Sequence, residues 1–373
     1  MVLIIALVCI ILFIILQNWV YHKYWAKNLE VKIGYKTSDC VVGEQNELVE
    51  VIVNNKKLPL PMVHVKFDMP KSFSFENEAN SAVSDYYYRD DVFTIMGHQS
   101  VTRTLRFTCN KRGCFYMHDT TLVSSDLFLR SILSAKRKNE NVIHVFPKKV
   151  DVGFFEVPYR TITGSFATNK TLVEDPFEFR GIRQYQPYDS IRHINWKSSA
   201  KNDELKVNTY FMTSSQDVMI LLNMDTHIYA QSERMIEDMI SVASTLCEKL
   251  VGDDVPVGFV TNGKDIYTKE KLVRESGSGA RHMVSIDTAL ARIDAHGENL
   301  NFAQVLSETM MPKDKEINKR TYYIIVSNAR NKEILDVYQE SKSIGILSYF
   351  IVPEFAQYPV EEVIPDMVQW NIT

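Results

Sequence analysis

Hydrophobic and polar positions follow three different rules along this chain, one after another. From Met1 to Val20 the stretch "MVLIIALVCIILFIILQNWV" carries no charge, and a helix of that length crosses a hydrocarbon core of roughly 30 Å. No polar face breaks the run, so as a core helix it would need cover on every side. Alternation then takes over. "ELVEVIVNN" sets Leu48, Glu50 and Ile52 against Val49, Val51 and Val53 before stopping at Asn54 and Asn55, and "MVHVKFDMP", "SVTRTLRFTC" and "VIHVFP" behave alike. Period two with turn signals between the runs predicts an all-β unit, a small β-sandwich, over residues 30–150. The polar residues 76–91 read as a long loop or hairpin within it.

Residues 151–210 hold a linker, "DVGFFEVPYRTITGSFATNKTLVEDPFEFRG", without a clear period, and then a signature region. From residue 211 onward continuous apolar runs alternate with helical spacing. "DVMILLNMD" precedes Met235, Ile236, Met239, Ile240, Ala243 and Leu246; "VPVGFVTNG", "TYYIIVSNA" and "GILSYFIVP" are further strands, and "MVSIDTALARIDA", "NFAQVLSETM" and "KEILDVYQESKS" are helices. Buried strands feeding helices predict an α/β open sheet of Rossmann type over residues 211–373, with helices on both faces. The whole is an α+β multidomain chain behind an N-terminal transmembrane helix at residues 1–21. Ligands of such sheets sit at the C-terminal edge of the strands.

Length agrees, since 373 residues exceed the prior of about 150 per domain and leave room for two cores. With 45% hydrophobic residues, 24% charged residues and a formal net charge of -4, the chain is globular and mildly acidic, and nothing calls for a nucleic-acid partner. The N-terminal run has no basic leader and no small-residue cleavage site around Leu16 to Trp19, so it reads as a retained single-pass anchor in the cell membrane. Trp19, Tyr21, Tyr24 and Trp25 offer an interfacial aromatic belt, and His22, Lys23 and Lys27 put positive charge after the helix, which predicts cytoplasmic globular domains. Five scattered cysteines, Cys9, Cys40, Cys109, Cys114 and Cys247, do not resemble a disulfide framework.

Candidate chemistry gathers at the strand ends: Asn223, Asp225, Thr226 and His227, then Thr261 and Asn262, then Ser327, Asn328 and Arg330. Short oxygen-bearing side chains at one sheet edge suit Mg²⁺, for which a D-x-S-x-S loop is a known supplier. Here Asn223, Asp225 and His227 stand at its three positions, leaving one carboxylate and no serine, and helix capping with satisfied loop amides is the stronger reading. Cys109, Cys114 and His118 lack a fourth partner for zinc, and Lys111, Arg112 and Gly113 read as a hairpin turn. There is no P-loop, no G-x-S-x-G and no H-E-x-x-H, and no cofactor is otherwise called for.

In "YQPYDSIRHINWKSSAK" Asp189 can cap a helix starting near Ser190, which places Arg192, Trp196 and Ala200 on one face with Trp196 partly buried. His193 lacks an oriented partner, so no catalytic residue is assigned. The alternatives are a membrane hydrolase using His193 or His227 with Asp189 or Asp225, and an outward-facing adhesion module.

The segment "FEFRGIRQYQPYDSIRHINWKSSAKNDELKVNTY" resembles the signature of the domain-of-unknown-function 58 family, R-x-Y-x-P-x-D-x-x-R-x-I-x-W-x-x-S-A-R followed by a leucine and a basic strand. Arg183, Tyr185, Pro187, Asp189, Arg192, Ile194, Trp196, Ser199, Ala200 and Leu205 fall on it, while Tyr188 replaces the usual glycine and Lys201 the usual arginine. Upstream, "KRGCFYMHDTTLVSSDLFLR" is similar to the family's R-G turn and S-D/D-P-F-G-L segment, with Ser125, Asp126 and Phe128 matching. The resemblance implies a membrane anchor, a β-sandwich and a von Willebrand factor A-like domain, and many relatives carry two membrane segments where this chain shows one. It also implies a protein partner, a MoxR-type AAA+ ATPase, and a chaperone-like role in assembling or activating envelope or membrane proteins. Some members carry a metal-ion-dependent adhesion site, from which Asn223, Asp225 and His227 depart. Its place before the first strand of the α/β domain makes the signature segment a candidate clamp or partner contact.

Overall fold

The N-terminal run and the alternating segments after it become a helix and twelve strands. In the computed structural model the described residues are 2–76, 81–83, 86–150, 173–186, 194–202, 204–213, 217–226, 232–312, 321–355 and 367–372. The chain divides into two compact units, Met1–Lys149 with Asp265–Glu270 and Val284–Asp294, and Val150–Lys264 with Lys271–Met283 and Ala295–Thr373.

In the first unit α1 (Val2–Tyr24) precedes β1 (Leu29–Tyr35), β2 (Asp39–Val41), β3 (Gln45–Asn54), β4 (Leu60–Pro70), β5 (Phe73–Phe75), β6 (Ser81–Val83), β7 (Tyr86–Ile95), β8 (Ser100–Cys109), β9 (Gly113–Tyr116), β10 (Thr120–Ser125), β11 (Ile132–Arg137) and β12 (Val142–Phe146). Two antiparallel sheets, ordered β1-β3-β8-β5 and β11-β10-β4-β7-β6, make the sandwich, and a small sheet β2-β12-β9 completes the unit. Leu48 and Ile52 of β3, Phe107 of β8, Val63, Val65 and Phe67 of β4 and Leu122 of β10 share one core. The described part of 76–91 is a hairpin, β6 paired with β7.

Two expectations are corrected within this unit. Tyr21 and Trp25 are 3% and 6% exposed in the sandwich core, with the Tyr21 hydroxyl donating to the Pro59 carbonyl at 2.9 Å, so they hold α1 to the sheets and leave an aromatic belt to Trp19 and Tyr24. Residues 111–113 turn no hairpin, because β8 and β9 belong to different sheets. Arg112 is instead buried, its guanidinium donating to the carbonyls of Leu290 and Ile293. Cys40 and Cys109, far apart in sequence, bring their thiols within 3.0 Å of each other in the core.

Charge enters that core from both sheets. Alternation puts Glu50 between Leu48 and Ile52 on the inner face of β3, and it is 0% exposed. Facing it, Asp91 of β7 is also fully buried. It accepts from Arg89 Nε and Nη2 at 3.1 and 3.2 Å and pairs with Arg103 Nη1 at 2.8 Å. Those two guanidinium groups lie over the rings of Phe75 and Phe93. Neither Glu50 oxygen has a donor among the described residues. Burial, with Asp91 second, therefore pushes the Glu50 carboxyl up to about 8.

The second unit opens on a two-stranded ribbon, β13 (Val173–Gln184) against β14 (Lys206–Thr213), with α2 (Trp196–Asn202) between them. Part of the stretch read as a linker is thus strand. Its period was obscured because the register shifts between Glu174 and Phe179, where Pro176 has no N–H to give. A six-stranded sheet follows in the order β17-β16-β15-β18-β19-β20. β15 (Val218–Leu222), β16 (Val257–Lys264), β18 (Tyr322–Val326), β19 (Ser348–Phe355) and β20 (Met367–Ile372) are parallel, and β17 (Lys271–Gly277) is the antiparallel edge.

β17 and β20 were not anticipated. The helices are α3 (Ser232–Gly252), α4 (Ala280–Ala291), which from Val284 on belongs to the first unit, α5 (Phe302–Met310) and α6 (Lys332–Ser343). Leu221, Val260, Ile325 and Phe350 pack with Phe302 and Leu306 of α5 and Ile334 and Tyr338 of α6. Strand residues of the other parity, Ile220, Leu222, Ile324 and Ile351, are as fully buried and face the α3 side, where α3 lies on β15, β16 and β19.

The Glu50 carboxyl predicts a pH slope. An acid whose folded pKa lies above its unfolded value stabilises the fold while it is protonated. That contribution is complete below the ordinary glutamate range of about 4.3 and disappears as pH rises toward 8. Denaturant unfolding of the full chain between pH 5 and 8 is expected to show stability falling with pH. Glu50→Gln is expected to flatten that slope and to be the more stable protein at pH 8; an unchanged slope would show that Glu50 is ionised in the fold.

Candidate functional site

The parallel strands β15, β16 and β18 end side by side, Leu222 being level with Thr261 on one side and Val326 on the other. The residues that emerge there are polar and nevertheless buried: Asn223, Thr261, Asn262, Ser327 and Asn328 are each 0% exposed. Buried polar groups need partners, and these find them in one another.

Asn262 is the hub. The Met224 N–H donates to its Oδ1 at 2.7 Å, which fixes the sense of the amide. Its Nδ2 faces Asn223 Oδ1 at 3.0 Å, Asp225 Oδ2 at 3.0 Å and the Leu300 carbonyl at 3.1 Å. Asn223 Oδ1 also accepts from the Asp225 N–H at 3.0 Å, and its Nδ2 donates to Ser327 Oγ at 2.9 Å. Asn299 Nδ2 donates to Asp225 Oδ1 at 2.9 Å, so both oxygens of that carboxylate are already held by amides. Thr226 Oγ1 donates to Asn328 Oδ1 at 3.1 Å, while Asn328 Nδ2 reaches the Pro353 carbonyl at 2.7 Å.

This donor set does not fit Mg²⁺. The cation requires converging oxygens, whereas here N–H groups converge on the Asp225 carboxylate. Among the described residues no cluster of three or more His, Cys, Asp or Glu side chains is placed to hold a metal. His227 lies outside the described residues. Ser327 is not arranged as a nucleophile either, since its hydroxyl donates to the Ala329 carbonyl at 2.6 Å and faces an amide rather than a base. His118, the histidine of the rejected zinc set, pairs with Asp68 at 2.6 Å.

Satisfied loop amides account for Asn223 and Asn262, as expected. Helices α5 and α6 are capped by residues that were not singled out, Asn301 on the Gln304 N–H and Asn331 on the Ile334 N–H, each at 3.1 Å. Asn299 was also missed; the polar run "GENLN" after α4 was its one sequence signal.

In the signature segment Pro187, Asp189, Arg192 and His193 lie outside the described residues. The residues after them do not continue a helix begun near Ser190. Ile194 is extended and bridges Val207, and α2 starts only at Trp196, where Asn195 Oδ1 caps the Ser198 N–H at 2.9 Å. Ser199 Oγ bonds the Asn195 carbonyl at 2.8 Å and accepts from the Lys206 N–H at 2.9 Å, and the Tyr185 N–H donates to the Leu205 carbonyl at 2.9 Å. Trp196, expected to be partly buried, is 64% exposed, because the inward positions around it are filled by Ile194, Ser199 and Val207. Ala200 and Arg183 are exposed as well, and Tyr185 is half-buried.

Residues 181–343 match the model of the family described as "Protein of unknown function DUF58", so the DUF58 pattern runs from β13 through α6. Comparison with curated proteins gives no match. Among solved structures the chain is similar to domains D2 and D3 of the major pilin SpaD from Corynebacterium diphtheriae, with 10% identity and a TM-score of 0.24, over 32% of this chain and 56% of that one. It is also similar to a type I cohesin–dockerin complex from Clostridium thermocellum, with 12% identity and a TM-score of 0.22 over 32% and 99% of the two chains. A non-cellulosomal cohesin from Archaeoglobus fulgidus matches with 12% identity and a TM-score of 0.20 over 35% and 98%.

Asn262→Ala removes the donor to three oxygens and the acceptor of a buried N–H, and is expected to cost about 2–4 kcal/mol of stability by thermal or denaturant unfolding. Mg²⁺ added to the full chain is expected to leave its melting temperature unchanged. A rise at low Mg²⁺ would show that Asp225 exchanges the Asn262 amide for a cation.

Proposed function

We propose that this chain is a non-catalytic, membrane-anchored scaffold or adaptor that works with a MoxR-type AAA+ ATPase in chaperone-like assembly or activation of envelope or membrane proteins. The apolar helix α1, which is 23 residues long, crosses the membrane, and the positive His22, Lys23 and Lys27 keep the globular units on the cytoplasmic side. The α/β unit is of the von Willebrand factor A type. Its strand order, with β15 central and an antiparallel β17 at the edge, supports that reading.

One observation carries the proposal. Trp196, on the short capped helix of the signature segment, is 64% exposed, and Ile182 and Leu205 of the same segment are 45% and 46% exposed. A tryptophan left in water on a hydrogen-bonded ribbon contributes little to the fold and is well suited to anchor a partner, since Trp is enriched among residues that dominate binding energy. The strand-end network, by contrast, supplies neither a free carboxylate nor an activated hydroxyl among the described residues.

Trp196→Ala is expected to change stability by less than about 0.5 kcal/mol, as an exposed position should, and to reduce several-fold the AAA+ ATPase recovered when the anchored protein is purified from its native membrane with ATP. Equal recovery by the variant would refute Trp196 as the contact, and a loss of about 3–5 kcal/mol would mean that it is packed. A C-terminal reporter that works only outside the cytoplasm is expected to stay silent; activity would reverse the orientation.

A further inference from the structure

The turn after β10 exposes apolar side chains that the sandwich does not need. Leu127, Phe128, Leu129 and Ile132 are 44%, 48%, 59% and 83% exposed. The turn is nevertheless firmly built. Asp126, 1% exposed, accepts from the Arg130 and Ser131 N–H groups at 2.6 and 3.1 Å, and its carbonyl accepts from the Leu129 N–H at 3.0 Å. Leu129 has φ 58, a left-handed backbone that a bulky residue adopts at a cost and glycine would adopt freely. A leucine held there presents an apolar side chain where the fold alone would favour none.

Two ties fix this turn to α1. Gln17 Nε2 donates to Asp126 Oδ2 at 2.7 Å, and Ser131 Oγ donates to Asn18 Oδ1 at 2.7 Å. Beyond them the Phe128 ring meets the Phe13 ring edge-on, with centroids 6.3 Å apart. Phe13 lies one turn of helix before Gln17, roughly 6 Å further along the axis, on a part of α1 whose apolar side chains, Ile10, Leu12 and Leu16 among them, are exposed apart from Ile14. Whatever medium surrounds Phe13 therefore surrounds Phe128.

We infer that residues 127–132 are a second membrane contact, a loop whose apolar tip enters the bilayer beside α1. The inference rests on the reading of α1 as a membrane-spanning helix. Asp126 and Gln17, hydrogen-bonded to each other, sit at the base of the tip. Arg130 lines a cleft of about 420 Å³ with Ile11, Ile14 and Ile15 and with the polar Asn18, Asp126 and Ser131, so a cation and polar groups border an aliphatic helix face, as expected near the level of lipid phosphates. The occupant is lipid: the exposed apolar patch is continuous, through the Phe13–Phe128 contact, with the surface that the bilayer covers.

The test uses the full chain with Cys9→Ser, the other four cysteines being buried, in phosphatidylcholine–phosphatidylglycerol nanodiscs. A fluorescent probe is placed singly at Leu129→Cys, at Ile132→Cys, or at Leu12→Cys on the helix, and is challenged with lipids brominated on the acyl chain and with aqueous iodide. Quenching by brominated lipid and shielding from iodide at Leu12 and at both loop positions is the expected result. Lipid quenching at Leu12 with iodide quenching at both loop positions overturns the inference and leaves the anchor standing. Iodide quenching at all three positions removes the anchor reading and this inference with it.

Discussion

β15 is the strand on which the second unit depends. It has parallel partners along both edges and buried neighbours on both faces, so its backbone groups must all be paired within the sheet and its five residues must be apolar. The constraint extends past its end. Asn223 emerges where β16 and β18 also emerge, still fully buried, and a charge there would be expensive. An amide both donates and accepts, so Asn223 and Asn262 can satisfy each other, Ser327 and two loop N–H groups without any net charge. The same closure explains why Asp225, one step further out and half-buried, meets N–H donors rather than converging oxygens.

How much of this was legible depends on what each element needed from its sequence. Strands packed on one face keep a period of two, and β3, β4, β8 and β12 show it; strands covered on both faces need a plain apolar run, and β15, β16, β18 and β19 show that. β17 needed neither. As an antiparallel edge it buries Leu272 and leaves Lys271, Arg274 and Glu275 outward, so it reads as loop. β13 was hidden by Pro176 and a register shift. At the site, the strand-end positions were legible because an open α/β sheet places them together. The sense of each hydrogen bond, and the arrival of Asn299 from beyond α4, are properties of the folded chain.

Side chains whose surroundings come from distant segments were the least legible. Glu50 could be assigned to the inner face of β3 by alternation, yet Asp91, Arg89 and Arg103 reach it from strands of both sheets: burial and then Asp91 raise its pKa, and the two guanidinium groups oppose the rise. Trp196 erred the other way. Tryptophan is a core residue on average, but the short span between β13 and β14 is filled by Ile194, Ser199 and Val207, and the ring is left outside.

The first unit shows that the N-terminal helix is more than a tether. An anchor joined by a flexible linker leaves its domain free to turn, because few contacts cross the join. Here Tyr21 and Trp25 are part of the sandwich core, and Gln17, Asn18 and Tyr21 each make a hydrogen bond to a residue of the sheets or their turns. The last two turns of α1 therefore behave as an element of the sandwich, while the turns before them carry only exposed apolar side chains apart from Ile14. One helix thus carries two kinds of surface, an exposed apolar one long enough to cross a membrane and one built into the sandwich. The change from apolar to hydrogen-bonding residues at Gln17 marks where the exposed apolar surface ends and the demands of the protein core begin.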